Sequence, residues 1–427
     1  MKTAYINGII LDGTENMQPK TGMVILTENE TIRAVVPAAE AELDGYTIED
    51  LNGSYIMPGF VNLHVHIPGN GKPKKKPTDT KKLVKLLTSN GLTRLVIQYM
   101  YDSYSKTELL SGVTTLRSVG GVEAYDSITR DRIKSGRTVG PRIVASNMAV
   151  SVPGGHMAGS LAYEATSPEE AAKYVSMIAE SGCDLIKLMI TGGVLDAVKK
   201  GEPGVLKMQP ELVKAACDEA HRRGLKVAAH VESPEGVRVA LENGVDTIEH
   251  GAEPDDNIIE LFKQRGAANV ATLSPALPYA FFDREISHVD EMSQYNGLVV
   301  FEGIVNCAKK CLANGIPVGL GTDTGCPYIT HYDFWREMNY MVKYCGVTPA
   351  FALHTGTLIN ARIIGLDDQI GSIEAGKCAD FVVCAKNPLE DLSVLRELKA
   401  VVTRGRIIRE PKIKKMPEVE VELDKFL

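Results

Sequence analysis

The chain has 427 residues, 44% of them hydrophobic, and a formal net charge of −7. That length buries a large core and exceeds the roughly 250 residues of a typical (β/α)8 barrel, so a second, smaller module is expected. The acidic balance gives no reason to propose nucleic acid, whose binders usually show a strongly basic domain or face, and no nucleic-acid partner is expected.

The N-terminal stretch Met1-Lys2-Thr3-Ala4-Tyr5-Ile6-Asn7-Gly8 has no apolar signal-peptide core, and no run approaches the ~18 residues of a membrane span. A cytoplasmic protein with no membrane partner is expected. Residues 1–57 hold short β-type runs and turn signals, such as Tyr5-Ile6-Asn7-Gly8-Ile9-Ile10. From 58 to 360, strand-like segments alternate with helix-like ones, the pattern of parallel strands joined by crossover helices. The predicted strands are 59–66, 113–119, 142–148, 185–190, 226–231, 247–250, 268–273 and 317–323. Ser167-Pro168-Glu169-Glu170 supplies a helix start, with a capping serine and proline at the first helical position. Gly182, Gly224, Gly244, Gly266 and Gly315 mark helix ends before strands. Residues 361–427 return to short β-type runs, among them Phe381-Val382-Val383. The expected architecture is α/β: a TIM barrel over 58–360, with a small β-sandwich built from both termini, 1–57 and 361–427. The eight cysteines are scattered without Cys-x-x-Cys pairs and read as reduced thiols.

In such a barrel the C-terminal strand ends converge on one face, where active sites lie. His64, His66, His230, His250 and Asp323 all fall at predicted strand ends. His64 and His66 are two apart on one strand, so they share a face. Lys187 sits inside the apolar run Leu185-Ile186-Lys187-Leu188-Met189-Ile190. Burying such groups is costly unless something pairs with them, and the simplest common partner is a metal. Imidazole and carboxylate suit zinc and related divalent ions, and ligand type alone leaves the identity open. A lone strand-end histidine is more often structural. His221, beside Arg222 and Arg223 on a helix, reads as solvated, and His288, His331 and His354 lie in no motif.

These residues resemble the metal-dependent amidohydrolase superfamily. The resemblance rests on His64-Val65-His66, Lys187, His230, His250 and Asp323, with the lead-in at 56–62, the segment 319–325 and the tail at 371–383. It implies two divalent metal ions, zinc being the first choice. His64, His66 and Asp323 would hold one ion and His230 and His250 the other, with carbamylated Lys187 and a hydroxide bridging them. An unmodified lysine, with a pKa of about 10.4, is an ammonium and cannot ligate a cation; desolvation lowers that value and frees the amine for carbon dioxide. Hydroxide would attack an amide carbonyl while Asp323 passes its proton to the leaving nitrogen.

Within the superfamily, 187–194 followed by Met208-Gln209-Pro210-Glu211 resembles the branch with Xaa-Pro dipeptidases, carboxypeptidases and imidazolonepropionases. That implies a small-molecule substrate, a dipeptide or N-acyl amino acid. The loop from Leu195 to Gly204 departs from the branch pattern, so a cyclic amide or imidazolone hydrolase, deaminase or enamidase stays open as the alternative. A non-enzymatic metal-bound scaffold is a third reading, set against ligand positions that are all intact. The resemblance also suggests that His156, in Val152-Pro153-Gly154-Gly155-His156, contacts the substrate carbonyl or its polar group as a catalytic and binding residue. Tyr279, after the seventh strand, offers a hydroxyl to a substrate carboxylate. The basic run from Lys72 to Lys85 is either a solvated loop or a rim field that draws in anions. A homo-oligomer is compatible with the sequence.

Overall fold

The computed structural model describes residues 1–75 and 79–427. The barrel-type strands are β1 (Phe60–Val65), β2 (Val113–Ser118), β3 (Arg142–Val144), β4 (Leu185–Met189), β5 (Lys226–Val231), β6 (Thr247–His250), β7 (Ala268–Ala271) and β8 (Val318–Leu320). β1, β2 and β3 form one parallel sheet. β4 to β8 run in chain order in a second parallel sheet, extended by the short strands Ala149–Ser151 and Ala162–Glu164. Past the last strand, Asp323 N donates to His64 O at 2.8 Å and His66 N donates to Thr324 O at 2.9 Å, which ties the end of β8 to β1.

The strand pattern has a direct packing consequence. Ile186, Leu188, Val227, Ala229, Val231 and Ile248 alternate along β4 to β6 and join one apolar cluster with helix residues such as Val175, Val213, Ala216 and Phe262. Each such side chain contributes about 1.5–3 kcal/mol when fully buried. The intervening positions face the other way: Leu185 and Ala228 meet Val119 in a separate small cluster. The Ser167 hydroxyl caps the helix Pro168–Glu180 by accepting from Glu170 N, as its sequence predicts.

Three strands end more than one residue short of the expectation. The third strand stops at Val144 because Asn147 adopts φ 59, and the chain resumes as Ala149–Ser151 beside β4. The seventh stops at Ala271. The Glu337 carboxylate accepts from Leu273 N at 2.6 Å and Ser274 N at 2.9 Å, and those N–H groups start the helix Leu273–Phe281. Tyr279 therefore rides on a helix. The eighth ends at Leu320, short of Asp323, whose φ of 55 turns the backbone inward.

Both termini contribute to the outlying β-structure. Phe381–Cys384 pairs antiparallel with Tyr55–Pro58 inside a five-stranded sheet, so the N- and C-terminal segments do pair. A four-stranded sheet holds Lys2–Ile6, Met23–Glu28, Thr31–Pro37 and Thr47–Asp50. Tyr5, Ile25 and Ile32 of that sheet pack with Ile56, Phe381 and Val402 of the other. The C-terminal helix Pro417–Leu423 and the residues after it lie against the barrel segment instead: Arg336 Nη2 donates to Asp424 Oδ1 at 2.7 Å. Among the described residues no helix is long and apolar enough to cross a membrane.

Candidate metal centre

β1 carries His64, His66 just past its end shares that face, and the turn after β8 brings Asp323 between them. Asp323 Oδ1 lies 3.6 Å from His64 Nε2 and 3.3 Å from His66 Nε2. The outer nitrogens are occupied. His64 Nδ1 lies 2.8 Å from Glu249 Oε2, and His66 Nδ1 lies 2.8 Å from the Gly120 carbonyl. A carbonyl accepts only, and so does a carboxylate bound to arginine. Each ring thus carries its proton on Nδ1 and, when neutral, turns the Nε2 lone pair toward Asp323.

The same logic orients the other two rings. His230 Nε2 donates to the Gly192 carbonyl at 3.2 Å, which leaves Nδ1 as its lone-pair nitrogen. His250 Nδ1 is held by the Thr272 hydroxyl at 2.6 Å. His250 has φ 65, a left-handed conformation that costs on the order of 1–3 kcal/mol in a non-glycine residue and collects at functional sites. That turn breaks the alternation of β6, so Glu249 and His250, though consecutive, both reach the interior.

Two groups of ligand atoms result, His64 with His250 and Asp323, and His230 with Glu232 and His250; within each, the atoms lie inside 4.8 Å of one another. Burial first, then neighbouring cationic groups, push the imidazoles of His64, His230 and His250 well below their usual range, so they stay neutral. Burial alone would push Asp323 up, yet His64, His66 and Lys187 outweigh it and hold the carboxyl well below the usual carboxylate range. Lys187 is 1% exposed. Burial lowers its amine to about 8 against the opposing charges of Glu249 and Asp323. Lys187 Nζ, Asp323 Oδ1 and Glu232 Oε2 are enclosed without a hydrogen-bond partner. Lone pairs and a carboxylate oxygen facing one another across 3.3–3.6 Å repel unless a cation lies between them, so the donor set fits a metal.

Around this chamber stand groups that the sequence reading missed. Arg117 donates through Nη2 to both oxygens of Glu249, at 2.6 and 2.8 Å, through Nη1 to Thr247 Oγ1 and through Nε to the Leu63 carbonyl. Glu232 follows His230 by two residues and shares its face. Burial first, then Asp323 and Asp196, raise its carboxyl to about 8.

The structure brings His156 to the chamber: its ring stacks on His230 at 4.2 Å between centroids, and its Nδ1 lies 2.5 Å from Asp196 Oδ2. Tyr279 also turns this way. Burial pushes its phenol up, and the charges of Cys326, Asp323 and Glu232 add to the effect. Of the four remaining histidines, three take structural partners. His331 is buried between Glu108 and the Gly69 carbonyl, His354 bonds the Gly13 carbonyl, and half-exposed His221 bonds Asp246. In the basic run, Lys81 pairs with Glu164 and Lys82 with Asp79, while Lys76, Pro77 and Thr78 lie outside the described residues.

A family model described as "Amidohydrolase family" matches residues 55–408. The chain belongs to that family. As an amidohydrolase it is a metal-dependent enzyme acting on carbon–nitrogen bonds, and its fold is the TIM barrel of its relatives. A putative prolidase from Bifidobacterium longum is similar over 99% of this chain and 98% of its own, with 33% identity and a TM-score of 0.88. A Xaa-Pro dipeptidase solved with methionine in its active site is similar over 96% of this amidohydrolase and 100% of its own chain, with 27% identity and a TM-score of 0.84. Among curated proteins, the ochratoxinase of Aspergillus niger is 27% identical over 386 residues, covering 84% of this chain and 76% of its own.

Proposed function

We propose that this amidohydrolase is a binuclear hydrolase that cleaves the amide bond of dipeptides or N-acyl amino acids. The observation that carries the reading is Lys187, whose Nζ is enclosed and unpaired beside two sets of ligand atoms. A neutral amine there adds to carbon dioxide: the N–C bond forms, one proton leaves, and an anionic carbamate replaces a cation that could not ligate. His64, His66 and Asp323 would hold one ion and His230 and His250 the other, with the carbamate between them. When bound, such ions acidify a coordinated water and polarise a carbonyl.

The chain's own groups do the rest. Asp323 Oδ1 faces the two Nε2 atoms, so Oδ2 takes the proton of the attacking water and delivers it to the leaving nitrogen. His156, oriented by Asp196, contacts the substrate carbonyl or its polar group, and the Tyr279 hydroxyl, kept protonated, binds the substrate carboxylate. In this reading residues 58–360 are the catalytic barrel, closed by the β8-to-β1 hydrogen bonds. The terminal segments form a sandwich around the apolar cluster they share. Names of structural neighbours, a prolidase and a Xaa-Pro dipeptidase, favour amide bonds to a C-terminal amino acid.

The test pairs elemental analysis, on protein purified without chelators, with a hydrolysis screen over Xaa-Pro, Xaa-Arg and N-acyl amino acids. About two ions per chain and release of a C-terminal amino acid support the proposal. One ion or none, with turnover confined to cyclic amides, overturns it.

A further inference from the structure

We propose that Glu232 is a direct ligand of the ion assigned above to His230 and His250, an inference that rests on the binuclear reading. Residue 232 continues the inward face of β5, two positions past His230. One ligand atom each from His230, Glu232 and His250 lies within 4.8 Å of the others. The Oε2 atom is sealed from solvent and has no hydrogen-bond partner. The charges that act on this carboxyl, Asp323 and Asp196, have its own sign, and only the Val194 N–H lends partial compensation among the groups that act on it. Asp196 is itself committed to His156 Nδ1 at 2.5 Å and Gly193 N at 3.0 Å. A buried carboxyl among acids ionises only with a cation beside it.

Two imidazoles and one carboxylate are a sufficient protein ligand set for a catalytic zinc-type ion with an open position. With Glu232 included, each half of the centre has that set: His64, His66 and Asp323 on one side, His230, His250 and Glu232 on the other. The carbamate of Lys187 then couples two sites that can each hold an ion without it.

The test is competitive zinc titration of the wild type, Glu232→Gln, His230→Gln and the double variant, with near-UV circular dichroism to confirm folding. The expected result is that Glu232→Gln weakens the second equivalent at least about tenfold and leaves the first unchanged. The double variant then binds no worse than His230→Gln, because both groups serve one ion. Wild-type affinity for both equivalents in Glu232→Gln overturns the proposal. If the wild type takes up one equivalent only, the binuclear reading fails; weakened uptake by Glu232→Gln still supports ligation, and unchanged uptake overturns it. Should the variants not fold, a zinc-loaded crystal of the wild type decides: a Glu232 oxygen about 2.0–2.2 Å from an ion supports ligation, and one beyond hydrogen-bond distance overturns it.

Discussion

Arg117 and Glu249 lie beneath the strand ends at 3% and 0% exposure, and their side chains are fully spoken for by His64, Thr247, the Leu63 carbonyl and each other. In the same chamber, Lys187 Nζ, Glu232 Oε2 and Asp323 Oδ1 are enclosed as completely and have no hydrogen-bond partner. Both sets are buried ionisable groups on or just past the barrel-type strands, so burial does not distinguish them; pairing does. The paired set holds the histidine rings in position and is complete without any ligand. The unpaired set is incomplete as a fold element, and what completes it must come from outside the chain.

The largest expected effect is on the unpaired side. Asp323→Asn keeps the shape of the side chain and one ligating oxygen but not the basicity. We expect kcat to fall roughly 10²–10⁴-fold with metal content retained, as read by steady-state kinetics and elemental analysis on the same sample. Full turnover would remove Asp323 from proton transfer. The paired side breaks differently. Arg117→Met leaves Glu249 buried and uncompensated, and denaturant unfolding should show a loss of about 3–5 kcal/mol. A loss below about 1 kcal/mol would mean that the network is not what supports the floor of the site.

Lys187→Met sharpens the comparison because it gives opposite signs on two readouts. In metal-free protein it removes an enclosed amine that has no partner, so denaturant unfolding should show a gain of roughly 1–3 kcal/mol. In enzyme with metal it removes the amine proposed to form the carbamate, and kcat should fall. Destabilisation of the metal-free form would show that the amine is paired after all.

Much of this was legible in the sequence, and the reasons are local. The positions of all eight strands follow from apolar runs between helix signals, and the histidines and Asp323 stand out because they interrupt such runs at strand ends. Glu249 was not legible. Its partners Arg117 and His64 are 132 and 185 residues away, and pairing at that distance leaves no local pattern. Asp196 was hidden in the same way, being recognised only through His156. Glu232 is a different case. The period-two argument that pairs His64 with His66 applies equally to His230 and Glu232, but the following Ser233-Pro234-Glu235 reads as a helix start and absorbs the residue into a cap. The missed strand ends share a cause. Left-handed backbone at Asn147 and Asp323, and a cap supplied by Glu337 from 63 residues on, are set by tertiary contacts.

That cap gives the smallest effect, and it tests whether a paired buried carboxylate still carries a cost. Glu337 accepts from Leu273 N, Ser274 N and the Ser274 hydroxyl, yet burial outweighs these bonds and raises its carboxyl from 4.5 to about 7. Between those two values the folded state keeps a proton that the unfolded chain has released. Stability is therefore greatest below pH 4.5 as far as this group is concerned and falls as pH rises through about 7, flattening above. One proton limits the slope to about 1.4 kcal/mol per pH unit. Urea unfolding of wild type and Glu337→Gln across that window isolates the contribution: the difference between them should tilt with pH in that direction and level off above neutrality. A difference that tilts the other way would mean that the bonds to Leu273 and Ser274 dominate burial. The Tyr279 helix would then be anchored by a charge rather than in spite of one.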